Sequence, residues 1–194
     1  MTEIYIIRHG ETDSNVRQAC IGHKDVPLNE RGREQVRHLA KKLIDTEFDA
    51  VYVSPLTRAI DTAAPLKKKA PMTMSYGLIE RDYGVWDNMT FEEIKAQYPK
   101  EYQAWQDNWI DYMLPEGESA QMVQNRVNES MAKILSENDG KRILIVTHLG
   151  TARHIISYLL GLTTEQSWRF ALDNAKMAVI ERIDNKGILK ALNI

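Results

Sequence analysis

Cysteine is almost absent from this chain. Cys20 stands alone among 194 residues, so no disulfide can close within it. That fits a reducing compartment, and a cytoplasmic location is the expectation. Cys20 itself reads as an ordinary small side chain. Long apolar runs are missing as well. None reaches the roughly 20 residues needed to cross a bilayer, and no early segment has the charged start and apolar stretch of a secretory signal. No membrane partner is expected. Neither sign of charge dominates: 25 Lys and Arg against 27 Asp and Glu give a formal net charge of −2. Such a balance offers no electrostatic footprint for nucleic acid. There is no HExxH pattern and no Cys/His cluster. The prominent histidines neighbour arginines, which repel a cation, so neither metal nor cofactor is expected. Repeats, low-complexity segments and linkers are absent too. A length of 194 residues then suits one domain spanning 1–194, large enough to bury a core without staples.

What is present alternates between two periodicities. Glu3 to Ile7 reads as a strand, and Glu30 to Leu43 as a helix with Val36, Leu39, Ala40 and Leu43 on one face. Asp49 to Val53 is a second strand. Ser54-Pro55 after it reads as N-cap and first helical residue of a helix over Leu56 to Lys67. Pro71 to Met74 is a short third strand. Arg142 to Thr147 is a buried-type strand, followed by a helical pattern from Thr151 to Leu160. Met177 to Ile183 and Gly187 to Leu192 close the chain as strands around an Asn-Lys-Gly turn. The alternation predicts an α/β fold, a mostly parallel sheet flanked by helices on both faces. Residues 76–119 break the pattern and read as a helical cap insertion.

Ligands of open α/β sheets bind beyond the carboxyl ends of the strands. Arg8 and His9 end the first strand, Arg58 lies one turn into the helix after the second, and His148 follows directly on RILIVT. Three strand–helix junctions thus deliver cationic or imidazole groups to one rim, and helix N-termini add oriented N–H groups. Each residue alone has an ordinary explanation: a solvated Arg58, a hydrogen-bonded His148, an Arg8 paired with an acid. Their coincidence on one rim points to an anion, and arginine clamps phosphate in bidentate fashion.

RHGETDSN (Arg8 to Asn15) resembles the signature of the histidine phosphatase superfamily, the phosphoglycerate-mutase-like proteins. Five further segments match in order: the stretch Cys20-Ile21-Gly22 through Gly32, SPLTRAIDTA from Ser54, LIERDYGVWDNMT from Leu78, PEGES from Pro115, and VTHLGTAR from Val146. There are departures. Leu149 and Asn88 each stand where that family has glycine, and Glu116 replaces a glycine in a loop expected near the pocket mouth.

The resemblance implies a three-layer sandwich and a phosphohistidine intermediate. His9 would attack phosphorus through a neutral ring nitrogen, kept neutral by nearby arginines and held in one tautomer by a backbone carbonyl. Arg8, Arg58 and His148 would neutralise the phosphoryl oxygens, with Asn15 and backbone groups around Ile21, Gly22 and Leu149 as further phosphate and substrate contacts. Gly10 would let the backbone approach closely. Glu80 would serve as acid, then base. The compact length resembles the short branch, which includes broad-specificity phosphatases and the α-ribazole phosphatase of cobalamin assembly. A small phosphomonoester is the expected partner. A cofactor-dependent mutase is the alternative, and an idle binding protein a third reading. Tyr98, Tyr102, Trp105, Trp109 and Tyr112 recur at helical spacing. They read either as cap core or as a surface for a ring-bearing substrate.

Overall fold

The computed structural model describes all 194 residues. Six strands form one sheet: β1 (Thr2–Arg8), β2 (Ala50–Val53), β3 (Met72–Met74), β4 (Arg142–Thr147), β5 (Met177–Ile183) and β6 (Lys186–Ala191). Their order is β3-β2-β4-β1-β5-β6. The first four run parallel, and the β5–β6 hairpin pairs antiparallel to β1. The helices are α1 (Asp13–Val16), α2 (Glu30–Lys42), α3 (Thr57–Ala63), α4 (Phe91–Gln97), α5 (Pro99–Asp107), α6 (Ala120–Glu137) and α7 (Leu149–Leu160). None is long and apolar enough to cross a membrane.

The layers follow from period-2 alternation along the central strands. Ile4, Ile6, Ile143 and Ile145 face α6 and α7, where Val123, Val127, Met131 and Ile155 are fully buried. Their neighbours Ile7, Leu144 and Val146 point the other way, onto Leu39 and Leu43 at the α2 side and Ala59 and Ala63 of α3. The long helix α6 escaped the sequence reading. Its signals are a Ser119 N-cap, which accepts from the Met122 N–H at 3.1 Å, and apolar residues at helical spacing.

Residues between β3 and α6 add no strand to the sheet. Their Trp86, Ile94 and Leu114 bury a small cluster together with Cys20, against which Tyr98, Tyr102, Trp105 and Tyr112 pack. The aromatic residues do not share one helix as their spacing predicts. Pro99 starts a new helix after Tyr98, and α5 ends at Asp107, so Trp109 and Tyr112 lie in the turns beyond it. Asn88 does adopt the left-handed backbone its glycine-like position requires, with φ of 66°.

The Ser54-Pro55 pair behaves differently from its helix-start reading. α3 begins at Thr57 with Leu56 as its N-cap, and its first N–H, on Thr57, is taken by the Asp25 carboxylate at 2.9 Å. The Ser54 hydroxyl is turned inward instead, fully buried, 2.7 Å from Nε2 of His148.

Candidate active site

Strands β1 and β4 are adjacent and parallel, with Arg8 opposite Thr147. The next residues, His9 and His148, therefore leave the sheet side by side, their ring centroids 5.1 Å apart. Strand β2 flanks β4, so α3 carries Arg58 to the same place. Arg58 Nε donates to His148 Nδ1 at 3.2 Å. Its other nitrogens donate to the carbonyls of Lys24 and Gly22 at 3.0 and 2.8 Å, which fastens the 22–24 loop over the guanidinium.

His9 Nδ1 lies 2.7 Å from the Gly10 carbonyl. A carbonyl can only accept, so Nδ1 carries the hydrogen and Nε2 keeps the lone pair. Burial, then Arg58 and Arg8, hold the His9 imidazole well below the ordinary histidine value. His148 is displaced the same way by burial, Arg58 and His9. Both rings are neutral at pH 7. The reason for Gly10 differs from the expected close approach to a ligand. A Cβ there would sit 2.8 Å from the Gly32 carbonyl of α2, and one on Gly32 would sit 2.1 Å from that of Glu11. The two glycines interlock the loop after β1 with α2.

A cavity of about 420 Å³ opens above His9. Of the residues the sequence singles out, Arg8, His9, Asn15, Ile21, Glu80 and Leu149 line it. Arg58 and His148 lie under its floor, 0% and 1% exposed. Arg8 gives one donor to the Leu172 carbonyl at 3.0 Å, while its buried Nε has no partner. Asn15 takes three donors on its amide oxygen, from Thr12 N, Thr12 Oγ1 and Asn174 Nδ2. Its own NH2 group is thereby left for a ligand. Glu116 is exposed and stands apart from the cavity, contrary to its expected place at the mouth.

Glu80 reaches across to the N-terminus of α7. Oε1 accepts from Arg81 N, Thr151 N and Thr151 Oγ1 at 2.9, 3.1 and 3.1 Å. Oε2 accepts only from Gly150 N, at 3.0 Å, and keeps a lone pair for other chemistry. Arg8, Arg58, Arg81 and Arg153 all feel the Glu80 charge, and burial draws each of them below the ordinary arginine value. Several buried cations around one carboxylate leave the cavity with unspent positive charge, which suits a dianion.

Sequence reasoning missed part of the site. Trp168 and Arg153 form one wall, with the Arg153 guanidinium 4.7 Å over the Trp168 ring. Trp109 meets Trp168 edge-on at 5.7 Å. Of the aromatic series only Trp109 lines the cavity, together with Phe91 and Tyr83. Trp105 stacks on Phe91 at 5.5 Å and packs edge-on against Trp86 at 6.2 Å. Cys20 also borders the cavity, but burial pushes its thiol up to about 12, so it is inert at neutral pH.

A neutral imidazole set among arginines, at the carboxyl ends of parallel strands, is the arrangement of a phosphate-handling enzyme. The chain belongs to the histidine phosphatase superfamily (branch 1), whose profile matches residues 4–194. It is 30% identical to phosphoserine phosphatase 1 of Hydrogenobacter thermophilus, over 100% of this chain and 93% of that one. It is also 30% identical to the adenosylcobalamin/alpha-ribazole phosphatase of Escherichia coli, over 98% of this chain and 95% of that one. Among solved structures, the alpha-ribazole phosphatase of Shigella flexneri superposes with a TM-score of 0.92 at 32% identity, covering 99% and 96% of the two chains. The chain is a phosphatase of this superfamily, and these relatives favour hydrolysis over mutase activity.

Proposed function

We propose that the protein hydrolyses small phosphomonoesters through a phosphohistidine on His9, without a metal. The carrying observation is the Gly10 carbonyl on Nδ1, which leaves the Nε2 lone pair as the nucleophile. Nε2 attacks phosphorus, the ester oxygen leaves, and Glu80 gives that oxygen its proton. Water then attacks the phosphohistidine, Glu80 takes the proton, and inorganic phosphate departs. Arg8, which lines the cavity, and Arg58, with His148, stabilise the transferring group. Residues 76–119 act as the cap of a single domain. The buried lone cysteine suits a cytoplasmic enzyme.

The substrate is of the α-ribazole-5′-phosphate type, or the enzyme has broad specificity. Trp109, Trp168, Phe91 and Tyr83 support this reading by offering apolar faces to a ring-bearing leaving group. Relatives named for α-ribazole and for phosphoserine bracket the choice. The test is a panel of α-ribazole 5′-phosphate, O-phosphoserine, 3-phosphoglycerate and 4-nitrophenyl phosphate, with base-stable phosphate trapped on the quenched enzyme. His9→Ala should abolish both trapping and turnover, a loss of several orders of magnitude. Phosphate trapped on His148 instead would overturn the assignment.

A further inference from the structure

The mechanism above leaves one buried histidine of the cavity unused. His154 lies on α7, is 6% exposed, and lines the same cavity as His9 and Glu80. Its Nδ1 is 2.8 Å from Oε1 of Gln124, on the facing helix α6. The orientation of that amide follows from its other end. Gln124 Nε2 approaches Asn128 Oδ1 at 2.6 Å and the His154 backbone carbonyl at 3.4 Å. A backbone carbonyl only accepts, so the NH2 group of Gln124 must face it and the amide oxygen must face the ring. An amide oxygen only accepts as well. His154 therefore carries its hydrogen on Nδ1, and Nε2 holds a lone pair. That nitrogen has no partner within the protein, and the cavity is where a partner can reach it.

The ring also stays uncharged. Burial lowers its value to about 4, with Arg126 of α6, Arg81 and Arg153 of α7 acting in the same direction and Glu118 opposing them. Arginine crowds the rest of this site, and arginine can only donate. A neutral acceptor among so many donors is a distinct recognition element. His154 stands four residues beyond Gly150, whose N–H holds Glu80, so both lie on one face of α7, a single turn apart. Four residues rise about 6 Å, a span covered by two to three covalent bonds from the ester oxygen that Glu80 protonates plus one hydrogen bond of about 2.8 Å.

We propose that His154 determines specificity, its Nε2 accepting a hydrogen bond from a hydroxyl or ammonium group two to three bonds from the ester oxygen of the substrate. The inference rests on the phosphomonoesterase reading above and adds the kind of leaving group the site selects. A sugar or polyol phosphate supplies the hydroxyl, and an amino-alcohol phosphate the ammonium. Gln124 is the positioning residue that fixes the tautomer.

The test compares esters of matched size. Glycerol 3-phosphate carries the hydroxyl, phosphoethanolamine the ammonium, and n-propyl phosphate neither. The unmodified protein should favour one or both donor-bearing esters by about tenfold in kcat/KM, the effect of one well-formed hydrogen bond. The larger ratio identifies the donor. His154→Phe keeps a ring and removes the acceptor, so its ratio should fall to about one. Because the ratio is taken within each protein, a general loss of activity or stability cancels. Histidine 15N chemical shifts give a second readout: Nδ1 of His154 protonated, Nε2 bare, and a mixture of tautomers in Gln124→Met. Parity of all three esters in the unmodified protein overturns the proposal, as does an unchanged ratio in His154→Phe or a dominant Nε2–H tautomer. Turnover of 4-nitrophenyl phosphate and phosphate trapping on His9 report separately on the underlying reading. If those fail, the tautomer and the relative affinities of the three esters still decide this one.

Discussion

Gly150→Ala would place a methyl carbon 2.6 Å from Oε1 of Glu80, 3.2 Å from its carboxyl carbon and 3.3 Å from Oε2. The carboxylate must move, and since Arg81 N, Thr151 N, Thr151 Oγ1 and Gly150 N hold it from behind, it can yield only toward the cavity and at the expense of those bonds. Two opposed effects set the stability change. Alanine in the first turn of α7 gains up to about 1 kcal/mol over glycine. Disturbing the hydrogen bonds to a buried carboxylate costs about 1–3 kcal/mol. The net loss then lies between about zero and about 3 kcal/mol, and the protein stays folded. Catalysis responds more strongly. General acid catalysis contributes on the order of 10²–10⁴-fold, so kcat on an alkyl phosphate should drop at least about a hundredfold. A nitrophenolate leaves without a proton, so 4-nitrophenyl phosphate should lose far less. The assay is kcat on both ester types beside a calorimetric melt. Equal losses on the two, or full activity on the alkyl ester, would refute the placement of Glu80 as the acid.

Ser54→Ala removes the buried partner of His148 Nε2 and should lower kcat about tenfold, the effect of one hydrogen bond in the transition state, with KM nearly unchanged; an unaltered kcat would show that Ser54 only fills space. Trp105→Ala should destabilise the cap by about 3 kcal/mol and leave the preference for aryl over alkyl esters intact. Trp109→Ala should do the reverse, and the two variants exchanging these outcomes would place the wrong ring in the pocket. Acid should unfold the protein steeply. His9, His148 and His154 stay neutral in the fold because their values are depressed, whereas the unfolded chain protonates them below about pH 6.5. The unfolded state then binds more protons, so stability is full above that pH and falls as pH drops through it. Three protons at about 1.36 kcal/mol each give a limiting slope near 4 kcal/mol per pH unit. Urea titrations from pH 7 to 5 with a flat profile would contradict the buried neutral rings.

The sheet was legible where burial speaks in one voice. RILIVT is apolar almost throughout, and β4 has the bounds its sequence indicates, Arg142–Thr147. The rim was legible for the same reason, since strand ends fix where Arg8, His9 and His148 must emerge. Tertiary demands overrode local signals elsewhere. Ser54-Pro55 has the chemistry of a helix cap, but the serine hydroxyl is claimed by an imidazole 94 residues away in sequence. Trp168 sits in a single 3-10 turn, Glu165–Arg169, with no periodicity to announce it. Arg153 stands inside a recognisable motif, yet only the folded chain lays it over that indole. His154 becomes meaningful only beside Gln124, a pairing of two helices that no single segment encodes.

His9 and His148 hang from the central strand pair, while three of the four rings that shape the pocket, Tyr83, Phe91 and Trp109, sit on a segment whose own core is Trp86, Ile94 and Leu114 packed with Cys20. The two functions therefore rest on parts of unequal cohesion. Central strands open only with the whole molecule, whereas weakly cored segments open locally at far lower free energy. Warming this protein should blur its choice of leaving group well before it silences phosphoryl transfer, so that selectivity and turnover have separate thermal limits. Mutations accumulating in the cap would then alter which esters are cleaved while leaving the cleavage chemistry in place.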